Sequence, residues 1–191
     1  MGLPVEIAEA LERGASVVTG NQRAARGLRQ AVDRRNRAHG LKSWRPAAVM
    51  AWDTWTAGLW RELVIEGRVS EIMLNRTQEH AVWKLVLEAE EELATLRSVE
   101  SLAEMAMEAW RLLCAYNGER RLQSAAVSDD SRAFRRWART FERLCGSERF
   151  LAQAQVEGAL RRAVGEGWVS GLCGESVLVG FDRLTDRKSV V

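Results

Sequence analysis

The sequence has few of the residues that break helices or carry chemistry. Only two of its 191 residues are prolines, Pro4 and Pro46, so little interrupts a helix once it has started. Two histidines, His39 and His80, lie far apart with no Cys or carboxylate at metal-ligand spacing, which leaves them surface or capping roles. The cysteines, Cys114, Cys145 and Cys173, are odd in number and form no C-x-x-C pair. That argues against a zinc site or a disulfide framework and for reduced, buried thiols in a cytoplasmic protein. No apolar run approaches the roughly 18 residues of a membrane span, and Met-Gly-Leu-Pro-Val-Glu lacks the basic-then-apolar pattern of a signal peptide. No serine sits in a G-x-S-x-G context. Glu90, Glu91 and Glu92 are neighbours in sequence, but helical neighbours point in different directions, so they form a solvated face and not a catalytic pair. No catalytic residue is therefore assigned.

What the chain does have is helix-forming material. It is 47% hydrophobic and 28% charged, rich in Ala, Leu, Arg and Glu, and it is long enough for one domain or for one domain carrying a large insertion. Eight tryptophans fall mostly inside helical patterns, where core packing explains them. The net charge is only +2, but it is unevenly spread. Between Arg13 and Arg45 lie Arg23, Arg26, Arg29, Arg34, Arg35, Arg37 and Lys42 against Asp33 alone. The sign reverses at Glu88, Glu90, Glu91, Glu92, Glu100, Glu104 and Glu108, then turns basic again from Arg132 to Arg149. Such blocks are either solvated helix faces or, for the basic ones, a stripe that follows a nucleic-acid backbone.

The chain is organised around Ala15–Arg37. Ser16-Val17-Val18-Thr19 reads as a short β-branched strand, Gly20-Asn21 as a break, and Ala24, Leu28 and Ala31 as the apolar positions of a helix otherwise covered by arginine. A strand turning through glycine into a helix is the geometry of a phosphate loop. The chemistry of that loop is missing: against G-x-x-x-x-G-K-[ST], the run Gly20, Asn21, Gln22, Arg23 continues with Ala25 for the second glycine, Arg26 for the lysine and Gly27 for the hydroxyl.

Further along, a short helix is expected over Val5–Arg13, and a buried strand over Ala47–Ala51. A third helix, capped by Asp53 or Thr54, should run to about Glu66 with Trp52, Trp55, Leu59, Trp60 and Leu63 in the core. From Glu71 the period is helical for about a hundred residues with no β signal. Asn75 and Gln78 form a capping box ahead of Ala81, Val82, Trp83, Val86 and Leu87. The next helix starts at Ser98 or Ser101, carries Met105 and Trp110, and stops near Asn117-Gly118; Leu122–Ser131 is loop. A helix through Phe134, Trp137, Ala138, Phe141 and Leu144 ends at Gly146, and a last one runs from about Phe150 to Val164. Val177–Val179 returns to a buried strand. The expected fold is helix-dominated α/β: a small parallel sheet of about three strands, like that of a phosphate-loop protein, with a large all-helical insertion. Residues 1–69 and 166–191 would form the α/β part and 70–165 the insertion. Three strands make a small sheet, so the chain is expected to be the front part of a longer protein.

These stretches together resemble a known family. Thr19–Leu28 (TGNQRAARGL), Trp44–Trp55 (WRPAAVMAWDTW), Leu74–Trp83 (LNRTQEHAVW), Glu108–Leu113 (EAWRLL), Phe134–Phe141 (FRRWARTF) and Val179–Thr185 (VGFDRLT) occur in the order expected for the N-terminal region of the AddB-like "probable DNA repair protein" family. Its members are bacterial relatives of the helicase–nuclease subunits that process double-strand breaks. The resemblance implies a fragment of the first domain of a superfamily 1 helicase, with a degenerate phosphate loop and an inserted helical subdomain. It also implies a nuclease domain, with a metal held by clustered carboxylates, elsewhere in the parent protein. Where the family continues past LTP-type residues, Thr185 is here followed by Asp186-Arg187-Lys188.

Three readings follow. In the first, the chain is a non-catalytic DNA-binding or scaffolding module of a DNA-repair helicase–nuclease. Arg23, Arg26 and Arg29, with Arg132, Arg135 and Arg136, would meet phosphates of single-stranded or tailed duplex DNA, and an exposed tryptophan would stack on a base. Its partners would be DNA and the rest of the parent polypeptide or a helicase subunit, with no membrane involved. In the second, a structural interaction domain, the arginine helix packs against the acidic helical block or a partner subunit and touches no DNA. In the third, a residual nucleotide site binds without hydrolysis, Arg26 standing in for the lysine. In the first two readings the chain needs no cofactor. Magnesium would belong only to the parent's nuclease domain, and Asp182, after the last strand, is where a helicase-type acidic residue would sit.

Overall fold

The computed structural model describes residues 2–90, 98–116, 118, 128–169, 171 and 174–181. Glu91, Glu92, Asn117, Cys173, Asp182–Thr185 and all but the end of Leu122–Ser131 lie outside the described residues. The chain is dominated by helix and carries one small parallel sheet of three strands. It divides into two compact units, Met1–Glu66 with Gly158–Val191, and Gly67–Glu157.

In the first unit, helix α1 (Val5–Glu12) buries Ile7, Ala8 and Ala10 and ends at Gly14, whose φ of +87° is open to glycine and strained for other residues. Strand β1 (Ser16–Thr19) follows at once, with Val17, Val18 and Thr19 completely buried. Helix α2 (Gln22–Ala38) returns the chain to strand β2 (Val49–Ala51), which pairs parallel with β1 from Val17↔Val49 to Thr19↔Ala51. Strand β5 (Ser176–Val179) pairs parallel with the other side of β1, Ser16↔Ser176 through Thr19↔Val179. The order β2-β1-β5 puts the most completely buried strand in the middle. The last strand is less buried than its Val-Leu-Val run suggests: Ser176 is exposed and Val177, Leu178 and Val179 are half-buried, and among the described residues β5 pairs only with β1. Helix α3 (Trp52–Ile65) departs from expectation at its start. Neither Asp53 nor Thr54 caps it; Ala51, the last residue of β2, occupies the cap position without a side-chain bond, since strand passes directly into helix. The tryptophans expected in its core, Trp52, Trp55 and Trp60, are buried.

The second unit packs helices α4 (Arg76–Glu88), α5 (Val99–Ala115) and α6 (Asp129–Glu148) around stacked aromatic rings. Trp83 lies parallel to Phe141 with centroids 4.1 Å apart and 6° between planes, and Trp110 meets Phe141 edge-on at 5.9 Å. Cys114 and Cys145 are free thiols in this core. The capping box at the head of α4 is present: Asn75 accepts from the Gln78 amide, and Gln78 accepts from the Asn75 amide.

Five expectations for this region are corrected. It is not all-helical, because β3 (Ile72–Met73) pairs parallel with β4 (Phe150–Leu151). Phe150 therefore belongs to a strand; helix α7 (Val156–Gly165) starts later, after a 3-10 turn at Gln153–Gln155. Ser128, accepting from the Ser131 amide, caps α6, so the helix takes in the last three residues of Leu122–Ser131, expected to be loop. That helix also runs beyond Gly146 to Glu148, where Arg149 takes a left-handed conformation (φ 54°, ψ 45°). The reversal lets the Arg149 carbonyl accept from Ile72 at 2.8 Å, and so begins the β3–β4 pairing. Ala81 and Met105, assigned to apolar faces, are exposed.

Truncating Trp83 to Ala should lower stability by about 3–5 kcal/mol, against less than about 0.5 kcal/mol for Leu85→Ala on the exposed side of the same helix, measured by chemical denaturation. Arg149→Gly should raise the unfolding midpoint, because it relieves a left-handed residue costing about 1 kcal/mol.

Candidate nucleic-acid interface

The turn expected to be a degenerate phosphate loop joins β1 to α2 through only Gly20 and Asn21. Asn21 is extended (φ −157°, ψ 163°) and acts as the helix N-cap, its Oδ1 accepting from the Ala24 amide at 2.9 Å, while its carbonyl accepts from Ala25 at 3.2 Å. The buried Thr19 hydroxyl is shared between the Asn21 carbonyl at 2.9 Å and the Met50 carbonyl at 3.3 Å, tying the turn to β2. Gln22 Nε2 donates to Thr54 Oγ1 at 2.8 Å, and the Trp52 ring meets Phe181 edge-on at 5.9 Å. Phe181, one residue after Gly180, lies over the turn: a Cβ added to Gly20 would sit 3.7 Å from its ring and 3.5 Å from the Gly180 carbonyl. Ligands of open α/β sheets bind beyond the carboxyl ends of the strands. Here that edge carries side-chain caps and two aromatic rings, and a two-residue turn presents no glycine loop to wrap a phosphate.

The arginines of α2 are differently placed. At about 100° per residue, Arg26, Arg37, Arg23 and Arg34 fall within an arc of about 80°, opposite the buried Ala25 and Val32. All four are exposed. From Arg23 to Arg37, 14 residues on, they extend about 21 Å along the helix. No described carboxylate lies within ion-pair distance of any of them. Arg29 is also exposed but lies about 60° outside the arc. The other charged groups of the helix are engaged: Arg35 pairs with Glu12 at 2.9 Å, and Asp33 accepts from Trp44 Nε1 at 2.8 Å. Arg34 and Arg37 thus complete a stripe that the sequence reading confined to Arg23, Arg26 and Arg29; adding 11 residues to 23 and 26 returns to the same helix face and identifies both.

Arg132, Arg135 and Arg136 belong to the second unit, on α6. Arg132 is ion-paired with Asp129 and Arg136 with Glu90 at 3.6 Å, and Arg135 is half-buried and already engaged. Their charge is spent inside the unit, unlike that of the α2 stripe. Acidic residues of α5 are similarly paired. Lys84 bonds Glu100 at 2.6 Å and holds that carboxyl down at about 2, and Arg111 bonds Glu108 at 2.6 Å and lowers it too. Both pairs are surface pairs of small energetic value. His39 is the exposed C-cap of α2, and His80 Nε2 lies 3.3 Å from the Glu100 carbonyl. Among the described residues no three His, Cys, Asp or Glu side chains gather as metal ligands, and no helix is long and apolar enough to cross a membrane. Of the tryptophans, Trp168 is the most open, at 36% exposure.

Sequence reasoning passed over Glu79. It is 4% exposed, and its Oε2 accepts the Gln153 amide at 3.2 Å. Its position was legible: Glu79, Val82, Trp83 and Val86 fall at i, i+3, i+4 and i+7 on the buried face. Burial raises its pKa, opposed by the Gln153 bond. Burial, with Glu79 and Glu142 nearby, also pushes the Cys145 thiol up to about 12, so Cys145 stays protonated and unreactive.

Neither the protein-family models nor the curated proteins contain a match to this chain.

A carboxyl whose folded pKa is raised contributes stability below its ordinary value near 4.5 and loses it as pH rises through the folded pKa. Glu79→Gln removes that loss. Thermal melts of wild type and variant should therefore diverge between pH 4 and pH 7, with the variant more stable at neutral pH.

Proposed function

We propose that this chain is a non-catalytic module that binds the phosphate backbone of DNA, as the N-terminal part of a bacterial DNA-repair helicase–nuclease. The carrying observation is the α2 face, on which Arg23, Arg26, Arg34 and Arg37 are exposed with no described carboxylate partner. Arginine forks match phosphate geometry, and a straight 21 Å row at about 1.7 Å of duplex per charge runs beside roughly a dozen phosphates. Phosphate contacts position a protein without reading sequence, so binding is expected to be sequence-tolerant. Trp168 is the candidate base-stacking platform. The resemblance of TGNQRAARGL and VGFDRLT to the AddB-like family supplies the DNA-repair setting.

The module hydrolyses no nucleotide in this reading. Arg26 and Gly27 stand where the phosphate-loop lysine and hydroxyl would be, and Asn21 takes the Ala24 amide that a phosphate would need. The same cap weakens the reading of Arg26 as a residual nucleotide contact. A purely structural interaction domain is favoured by one observation, the internal pairing of Arg132 with Asp129 and Arg136 with Glu90. It accounts less well for α2, whose arginines have no such partners.

The test is binding of the full chain to labelled tailed duplex DNA across a salt series. Four phosphate contacts predict a slope of log K against log salt of about −3.6 on duplex and about −2.8 on single strand. Replacing Arg23, Arg26, Arg34 and Arg37 by Ala should abolish most of the slope. Replacing Arg132, Arg135 and Arg136 should leave it nearly intact. Unchanged affinity in the four-arginine variant would sink the assignment of this face.

A further inference from the structure

A cavity of about 260 Å³ opens between α4, α5 and the 3-10 turn of the second unit. It is lined by Arg76, Glu79, Glu104, Met107, Glu108 and Arg111, closed by Gln153 and Ala154. Four of its five charges neutralise one another at the rim: Arg76 bonds Glu104 at 2.9 Å and Arg111 bonds Glu108 at 2.6 Å. These four are also the charged groups that α4 and α5 direct at the cavity, and Arg76 additionally acts on Glu108. Glu79 is the fifth. It is 96% buried by the complement of its 4% exposure, and Oε2 has the Gln153 amide; no hydrogen bond among the described residues reaches Oε1, and no described cation pairs with the group. A tie to the Gln153 amide requires only a neutral acceptor, which glutamine would supply without the desolvation of a carboxylate. Burying an ionisable group with no counter-ion beside an open cavity is instead the arrangement that a cationic ligand completes.

We propose that this cavity binds a small organic cation, an alkylammonium group whose charge meets Glu79 Oε1 and whose aliphatic stem lies on Met107 and Ala154. The charge balance of the lining, two arginines against three glutamates, selects a monocation over an anion. Met107 is 9% exposed and provides the apolar contact that distinguishes an alkylamine from a bare metal ion. This site lies in the second unit and is independent of the arginine face of α2.

The experiment titrates the full chain, with ¹³C-labelled methionine methyls, with n-butylammonium and separately with the neutral isostere n-butanol. Saturable movement of the Met107 methyl by butylammonium is expected, with Met105, 58% exposed, as the unaffected control. Glu79→Gln keeps the acceptor for Gln153 and should fold, as its thermal melt will verify, yet weaken butylammonium at least about tenfold, the scale of one charge-assisted hydrogen bond. Equal binding of n-butanol, equal binding by the folded Glu79→Gln variant, or no saturable Met107 shift into the millimolar range would each overturn the proposal.

Discussion

Everything in the first unit depends on burying one strand on both edges. Val17, Val18 and Thr19 have no solvent exposure, and β1 achieves this only because β2 and β5 pair with it from either side. A strand buried this completely must satisfy every backbone group through its neighbours, which fixes the register of both partners. The same constraint dictates where α2 starts. Thr19 is held by carbonyls of Asn21 and Met50, so the chain leaves the sheet through a two-residue turn with no slack. A turn that short can cap a helix, and Asn21 does so; it has no residues left over for a loop that encloses a phosphate. The geometry that seats β1 therefore also sets the length of this turn.

Charge divides the molecule into groups that are spoken for and groups that are not. In the second unit Arg76, Lys84, Arg111, Arg132 and Arg136 each have a carboxylate within 4 Å, and these are surface pairs that contribute little to stability. On α2 the single acid, Asp33, is bonded to the Trp44 indole, and Glu12 on α1 serves Arg35. Among the described residues the exposed arginines Arg23, Arg26, Arg34 and Arg37 have no carboxylate partner, and like charges three residues apart on a helix repel one another. Glu79 is the mirror case: a lone negative group, buried where the others are solvated.

What the sequence made legible was local. The β1–turn–α2 succession, the Asn75–Gln78 capping box and the core tryptophans were readable because each signal lies within a few residues and has its own physical cause. The β3–β4 pair was not. Two residues per strand are too few to display an alternating pattern, and the pairing joins Ile72 to Phe150 across the whole unit. The start of α3 was misread because Asp53 and Thr54 are good cap residues, while the cap went to an alanine fixed by its place in β2. The basic residues were visible in the sequence, but which of them are free was not, since the pairing of Arg136 with Glu90 depends on tertiary contacts.

The β3–β4 contact has one more consequence. Ile72 and Met73 stand near the beginning of the second unit and Phe150 and Leu151 near its end, and neighbouring strands lie only about 4.8 Å apart. A unit whose entry and exit are stitched side by side interrupts its host chain at a point instead of stretching it. Such a unit can be gained, lost or exchanged between proteins without re-registering the sheet into which it is spliced. Two pairs of residues thus hold the two ends of the second unit together.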